Sequence, residues 1–171
     1  MMGNLDRAAP SGRMVLRKTE ERDLDAVLKM EADARPWVIG WSEKQHRNAM
    51  RDPDAEHWVM EDPDTGQPVG YVILQGIQNP HGSIELTRIV VSRPGRGLGK
   101  EALRFFIRRC FGELGAHRLW LDVMEHNERA RRAYESVGFV REGTLRECLK
   151  IGERYVSLHI MSILRHEAKL I

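Results

Sequence analysis

The chain has 171 residues, of which 42% are hydrophobic and 30% are charged, and its formal net charge at pH 7 is +2. This length suits one domain with a core of its own. The near balance of charges excludes the basic stripe typical of nucleic-acid binding, and no apolar run is long enough to cross a bilayer. We therefore expect no nucleic-acid partner and no membrane partner.

The two cysteines, Cys110 and Cys148, lie in apolar-patterned segments without the spacing of metal ligands. We expect them to be buried free thiols in a reducing compartment. Residues 1–13 lack the apolar stretch of a signal peptide and are predicted to form a flexible N-terminal extension, followed by a single domain over residues 14–171. Together these features predict a cytoplasmic protein.

The first half of the chain predicts a strand, two helices and an antiparallel hairpin. Apolar residues at helical spacing with acids in the first turn indicate the first helix, and Ser42 with Gln45 forms a capping box that opens the second. The turn DPDTGQP joins the two hairpin strands. In order, these elements are predicted at residues 14–18, 19–34, 42–51, 56–61 and 69–75.

Residues 84–111 combine an apolar run, a glycine-rich turn and an amphipathic segment, which predicts a strand, a loop and a long helix. Gly95, Gly97 and Gly99 leave the backbone bare, and the helix N-terminus behind them favours anions. The stretch predicts a site for a phosphorylated ligand, and the plainer alternative is a tight strand-to-helix turn. A P-loop hydrolase would need Ser or Thr after Lys100, where this chain has Glu101.

The remaining elements complete a mixed sheet. Residues 117–123 predict a strand, Asn127 caps a helix that ends near Gly138, and two more strands are expected at about 139–149 and 154–164. The predicted fold class is α/β (α+β), with a mostly antiparallel central sheet of about seven strands flanked by four helices.

Two segments at this separation resemble the GNAT superfamily of acyl-CoA-dependent N-acetyltransferases. The loop PGRGLG is similar to that superfamily's Q/R-x-x-G-x-G/A pyrophosphate loop. The segment LDVMEHNERARRAYESVGF is similar to its L-x-V-x(3)-N-x(2)-A-x(3)-Y-x(3)-G-F pattern, with matches at Leu121, Val123, Asn127, Ala130, Tyr134, Gly138 and Phe139. The order of elements agrees over nearly the whole chain, which supports a GNAT-like fold.

The resemblance implies acetyl-CoA as the co-substrate and no metal. Ile89, Val90 and Val91 would pair through their backbone with the pantetheine arm. Pro94 departs from the pattern, because it replaces Gln or Arg and has no N–H to offer a phosphate, and whether Arg93 contacts CoA stays open. The predicted cofactor contacts of the loop and the next helix are Gly95, Arg96, Gly97, Leu98, Gly99, Lys100, Asn127 and Tyr134.

By the same resemblance, Tyr134 would protonate the leaving thiolate, and Glu85 on the fourth strand would be the base, directly or through a water that it holds, or would position the substrate. The residues themselves leave plainer alternatives open. Tyr134 could be a core aromatic, Asn127 a cap alone, and Glu85 the ion-pair partner of Arg88 or of an arginine from a neighbouring strand. His46 and His81 are fallback candidates for the base.

For the acceptor site, Trp37 and Trp41 are predicted to form an apolar or cation–π wall around an amine, unless they belong to the core. Three acids could receive a cation, namely Glu31, Glu43 and Glu147. Residues 143–164 resemble, more loosely, the branch that contains the Rim-type ribosomal-protein acetyltransferases and the bacterial polyamine acetyltransferases.

The sequence therefore predicts an N-acetyltransferase that moves an acetyl group from acetyl-CoA to a primary amine, on a small molecule or a protein N-terminus, by direct attack in a ternary complex. Neither cysteine lies in a nucleophile-like context, so no covalent enzyme intermediate is expected. The alternative is a non-catalytic acyl-CoA-binding or regulatory module. The resemblance also suggests a homodimer.

Overall fold

A computed structural model describes residues 6–169 of the chain. Its helices are α1 (Leu24–Asp33), α2 (Glu43–Arg51), α3 (Leu98–Arg108) and α4 (Glu128–Ser136). Its strands are β1 (Arg7–Ala8), β2 (Val15–Lys18), β3 (Ala55–Glu61), β4 (Pro68–Gln75), β5 (Ser83–Val91), β6 (Arg118–Met124), β7 (Val140–Ile151) and β8 (Arg154–Leu164). The four predicted helices are all present, and α2 begins at the predicted capping box of Ser42 and Gln45.

The strands form one sheet in the order β1-β2-β3-β4-β5-β6-β8-β7. Every neighbouring pair is antiparallel except β5 and β6, which are parallel because α3 crosses over between them. The sheet has eight strands rather than the expected seven or so. The additional strand is the two-residue β1, which lies within the segment predicted as a flexible extension and pairs with Leu16 and Arg17. The flexibility of residues 1–13 stays a prediction, and residues 1–5 lie outside the described part of the chain.

The sheet splits between β5 and β6. These strands pair only from Ser83 to Glu85, opposite Arg118 to Trp120. Beyond that point β5 stays with β4 as far as Val91, and β6 stays with β8 as far as Met124. The register of β4 with β5 shifts at Thr87, and such a bulge bends a strand and increases its twist. The diverging strands leave a cleft, which we call the fork, whose closed end lies at Glu85.

The two faces of the sheet carry separate cores. On one face, α3 covers a large cluster that includes Leu86, Phe106 and Leu119. On the other face, α1 covers a smaller cluster built from Val27, Tyr71 and Val90 among others. On each side of the bulge at Thr87, neighbouring residues of β5 therefore point alternately toward α3 and toward α1.

The structure corrects the prediction of two buried thiols. Cys110 is fully buried in the core, where burial raises its pKa to about 12. Cys148 is exposed on β7, an edge strand whose side chains are mostly in contact with solvent. Both are free thiols. Within residues 6–169, no helix is long and apolar enough to span a membrane.

Candidate active site

The glycine-rich loop leads directly into the N-terminus of α3. Gly95 and Gly97 have left-handed backbone angles, with φ of 85° and 76°, and Gly97 is the residue that precedes the first turn of α3. A side chain would be strained at either position. The first amides of an α-helix have no partner within the helix, so those after Gly97 can donate to an anion. The loop therefore fits a pyrophosphate group.

The other predicted loop residues divide into exposed charges and packing contacts. Arg96 and Lys100 are exposed and can add positive charge beside the loop. Leu98 is buried in the large core, so only its backbone can reach a ligand. A Cβ on Gly99 would lie 3.6 Å from Cγ2 of Val91, which shows how closely α3 packs on β5. These contacts fix the N-terminus of α3 against the strand that lines the fork.

Two arginines, Arg93 and Arg129, lie near the glycine-rich loop, in which Pro94 replaces the Gln or Arg of the family pattern. The guanidinium of Arg93 donates to Asp62 at 3.2 Å. Arg129 was not anticipated from the sequence, and its Nη2 would lie 3.8 Å from a Cβ built on Gly95. The side chain of Arg129 therefore flanks the loop from α4, on the far side of the fork.

Residues Ile89, Val90 and Val91 lie on the part of β5 beyond its last pairing with β6. Their backbone pairs with β4 on one edge, while the other edge faces the fork and has no strand partner among residues 6–169. Val90 is buried against α1, and Ile89 and Val91 pack against the large core. The side chains are thus structural, and the free backbone edge is what can pair with an extended pantetheine arm.

Asn127 and Tyr134 lie on the opposite side of the fork. The Asn127 side chain accepts a hydrogen bond from the backbone N–H of Ala130 at 3.3 Å, so the predicted cap of α4 is confirmed. The ring of Tyr134 is half-buried and packs edge-on against Phe139, with centroids 5.8 Å apart. Burial and, secondarily, Asp122 raise the pKa of Tyr134 above its usual range. The phenol is therefore protonated at neutral pH and can donate a proton.

Glu85 lies at the closed end of the fork and is not paired with Arg88. Burial raises the pKa of the Glu85 carboxyl, nearby Asp122 raises it further, and Arg88 opposes both. The guanidinium of Arg88 instead donates to Glu31 at 2.8 Å. The proposed ion pair between Glu85 and Arg88 is therefore not the arrangement found. A carboxylate whose pKa is raised toward neutrality is suited to accept a proton.

The carboxylate of Glu31, one of the acids predicted to receive a cation, is already hydrogen-bonded to other groups of the protein. It is 2% exposed and accepts hydrogen bonds from the backbone of Trp41 and from three side chains. Those side chains are His46 at 2.9 Å, Tyr71 at 2.6 Å and Arg88 at 2.8 Å. Since these donors hold both carboxylate oxygens, Glu31 positions groups around the fork and does not bind a substrate cation directly.

The two fallback bases differ in their surroundings, because His46 is buried and His81 is exposed. His46 is fully buried, and its ring nitrogens contact Glu31 and His57, at 2.9 and 3.0 Å. The other ring nitrogen of His57 lies 2.6 Å from the hydroxyl of Thr19. His81 is exposed in the turn before β5. His46 therefore belongs to a buried hydrogen-bond chain behind the fork.

Stability should fall as the pH is lowered from 6.5, because His57 is neutral in the folded protein. Burial lowers its pKa to about 3 from an ordinary value of 6.5, and the unfolded chain takes up a proton throughout that window. The free energy of unfolding should lose about 1.4 kcal/mol per pH unit from this group. Urea unfolding at pH 6.5 and pH 5 should show a smaller loss for His57→Gln than for the wild type. His81→Gln is the matched control, and equal losses in all three proteins would contradict the assignment.

Trp37 and Trp41 lie in the loop between α1 and α2. The guanidinium of Arg88 lies over the Trp41 ring at 5.6 Å from its centroid, so an arginine of the protein takes the cation–π position predicted for an amine. Trp37 is 44% exposed, and its ring centroid is 4.9 Å from that of His126, in the loop after β6. Trp37 therefore connects the loop between α1 and α2 with the loop after β6, and its ring remains accessible to an acceptor.

The other two acids named from the sequence are accessible. Glu43 is exposed and pairs with Arg47 at 2.9 Å. Glu147 is exposed on β7, at a bulge where its φ is 48°.

Comparison with known proteins identifies the family of the chain. Residues 13–140 match the family model described as Acetyltransferase (GNAT) domain. The spermidine N(1)-acetyltransferase of Vibrio cholerae is 30% identical over 124 residues, which cover 72% of this chain and 71% of that protein. The enzyme of the same name from Escherichia coli K12 is 28% identical, with 92% of this chain and 90% of that protein covered.

Solved structures extend the match to the fold. The spermidine N-acetyltransferase from Vibrio cholerae, in a crystal structure with CoA and spermine, superposes with a TM-score of 0.81 at 26% identity. The superposition covers 92% of this chain and 98% of that one. The predicted fold class is confirmed, apart from the number of strands.

Proposed function

Because the chain belongs to the GNAT acetyltransferase family and is an acetyl-CoA-dependent N-acetyltransferase, we propose that its acceptor is a primary amine of a polyamine and that the amine attacks acetyl-CoA directly in a ternary complex. Family membership confirms the predicted class of enzyme and its co-substrate. The relatives are named as catalytic acetyltransferases, so the alternative of a non-catalytic acyl-CoA-binding module is set aside.

The observation that carries the proposal is the combination of groups at the fork. Glu85 and Asp122 provide negative charge on one face, and Tyr134 provides a protonated phenol on the other side of the gap. A polyamine is a flexible chain of cationic amines, and carboxylates in a partly dry cleft attract it. The positive charge of Arg88 is already neutralised by Glu31. The names of the relatives, which are spermidine acetyltransferases, support the same class of acceptor.

We assign the remaining residues by their positions around the fork. The backbone of residues 95–100 would hold the pyrophosphate, and the free edge of Ile89, Val90 and Val91 would align the pantetheine arm. Glu85 would accept a proton from the amine, and Tyr134 would donate one to the leaving sulfur. Trp37 would border the acceptor, while Trp41 would hold Arg88 in place.

An acceptor panel tests the proposal. Thiol release from acetyl-CoA is followed with spermidine, spermine, single amino acids and short peptides with free N-termini, and the products are identified by mass spectrometry. We expect the highest kcat/KM with a polyamine. Higher kcat/KM with peptides or amino acids would contradict the proposed acceptor.

The order of the reaction is tested with initial rates at varied concentrations of both substrates. Direct attack in a ternary complex predicts reciprocal plots that intersect. Parallel plots would indicate a covalent acetyl-enzyme and would contradict direct attack.

A homodimer and a cytoplasmic location stay predictions. Light scattering of the full chain during gel filtration measures its mass in solution, and a mass near 19.7 kDa, that of one chain, would contradict the dimer.

A further inference from the structure

Asp122 is the residue at the fork that the sequence did not reveal. It lies on β6 two positions beyond Trp120, and Trp120 is the residue that pairs with Glu85. Residues opposite each other in a register share a face of the sheet, as do residues two apart along a strand. Asp122 therefore lies on the same face as Glu85, diagonally across the point at which β5 and β6 separate.

This face of the sheet is the one that α1 covers, away from α3. Leu119, Leu121 and Val123 alternate with Asp122 and belong to the core under α3. Ile84 and Leu86 alternate with Glu85 and belong to the same core. Both side chains are thereby directed away from that core, to the face of the sheet opposite α3.

The other titratable groups of this region lie on several elements. Arg88 on β5 is tied to Glu31 of α1, and Arg118 on β6 is paired with Glu142 at 2.6 Å. Tyr134 contributes a neutral phenol from α4. None of these side chains forms a salt bridge with Glu85 or Asp122 among residues 6–169. Glu85 and Asp122 thus lie on the same face of the sheet, and neither carboxyl has a salt-bridge partner within residues 6–169.

The pKa shifts at the fork agree with an interaction between the carboxyls of Asp122 and Glu85. Burial raises the pKa of Asp122 and Arg88 opposes that shift, although the residue is exposed to solvent at the surface. Asp122 in turn raises the pKa of Glu85 and that of Tyr134. Asp122 therefore influences both the predicted base and the predicted acid.

Resting on the proposed acetyl transfer, we propose that Asp122 and Glu85 act together as one proton acceptor for the incoming amine. The amine arrives as an ammonium ion, and the pair takes one of its protons. The freed nitrogen lone pair then forms a bond to the thioester carbon, and the carbon–sulfur bond breaks with its electrons on sulfur. Tyr134 gives its phenolic proton to that sulfur and regains one from the nitrogen. The pair then releases its proton to water, so that one proton is liberated in each turnover.

Two carboxyls that interact titrate as a unit, and removal of one lowers the pKa of the other. Asp122→Asn should therefore make Glu85 titrate at lower pH and shift the acidic limb of the kcat/KM profile to lower pH. Each single variant, Asp122→Asn and Glu85→Gln, retains one carboxylate and should lose about tenfold in kcat/KM. The double variant should lose about 10²- to 10⁴-fold, the typical contribution of a general base.

The experiment combines two readouts on the full-length protein. Side-chain carboxyl ¹³C shifts of Glu85 are followed against pH in the wild type and in Asp122→Asn, with Glu85→Gln used to assign the signal. In parallel, kcat/KM is measured against pH with whichever amine of the panel reacts fastest, and CoA affinity and melting temperature are recorded for each variant. Asp64→Asn, at an exposed carboxyl in the turn between β3 and β4, is the matched control.

The outcomes separate this proposal from the one it rests on. An unchanged titration of Glu85 in Asp122→Asn, or a double variant no slower than Glu85→Gln, would overturn the shared role of Asp122. A shifted titration together with the expected loss of rate supports it, whichever amine proves to be the substrate. Absence of turnover with every amine would contradict the proposed function, while the carboxyl titration would still decide whether the two groups interact.

Discussion

Replacement of Tyr134 by phenylalanine is expected to lower kcat by about 10²- to 10⁴-fold, the usual contribution of a positioned acid. The phenylalanine ring preserves the packing against Phe139, so the chain should fold normally and bind CoA with nearly unchanged affinity. What is lost is the protonated hydroxyl at the fork, and with it the donor for the leaving sulfur. Steady-state kinetics with a polyamine, together with calorimetric titration of CoA, measure the two effects separately.

Tyr155→Phe is the matched control for this variant. Tyr155 is 60% exposed on β8 and lies beside Lys150, outside the fork. Its substitution should change neither kcat nor CoA affinity. If Tyr134→Phe kept the wild-type kcat, the acid role would be removed from this residue. An equal loss of kcat and of CoA affinity would instead indicate a structural contribution.

The second large effect is expected for Gly97→Glu, which should raise the Kd for CoA by about 10²-fold or more. The added carboxylate would lie at the N-terminus of α3, where the phosphates are expected to bind. Repulsion between like charges placed side by side costs several kcal/mol of binding free energy, and each 1.4 kcal/mol or so raises Kd about tenfold. A negative charge is itself favourable at a helix N-terminus, so α3 should persist. Binding is measured by calorimetry, and kcat/KM for acetyl-CoA should fall in parallel.

Gly66→Glu is the control that distinguishes blocked CoA binding in Gly97→Glu from the effect of backbone strain. Gly66 has φ of 71°, close to the 76° of Gly97, and a Cβ there would meet no atom within 4 Å. It lies in the turn between β3 and β4, so the same strain is introduced away from the loop. This control should bind CoA like the wild type. Wild-type affinity in Gly97→Glu would show that the loop does not hold the cofactor.

Local signals in the sequence predicted most of the fold. The capping box at Ser42 and the cap at Asn127 depend only on residues a few positions apart, and both formed as predicted. The strands and helices followed from apolar periodicity for the same reason. Strand β1 was missed because a two-residue strand has no periodicity of its own, and only its pairing with Leu16 and Arg17 defines it.

The site could be predicted only in part, because much of it depends on contacts between distant segments. The glycine-rich loop and Tyr134 lie in motifs that can be recognised locally. The surroundings of Glu31 involve His46, Tyr71 and Arg88, which are brought together only by packing of α1 and α2 on the sheet. The ion pair that the sequence allowed between Glu85 and Arg88 was therefore wrong, since a better-placed carboxylate lies on another element.

Asp122 was missed for a related reason. It occupies a variable position inside the motif that identified Tyr134, and an acid in an alternating strand is normally a solvated residue. Its significance depends on the parallel pairing of β5 with β6 and on the point where that pairing ends. One signal was available, since Glu85 and Asp122 each lie between two apolar residues of a strand, but only the register places them diagonally across the fork.

A crystal structure of the protein with CoA and spermidine would test the central claim most directly. We predict that the pantetheine arm lies in the fork along Ile89, Val90 and Val91, with its sulfur in contact with the Tyr134 hydroxyl. We also predict a primary amine within about 3.2 Å of Glu85 or Asp122, directly or through one water. A pantetheine arm outside the fork, or an amine bound away from both carboxyls, would contradict that claim.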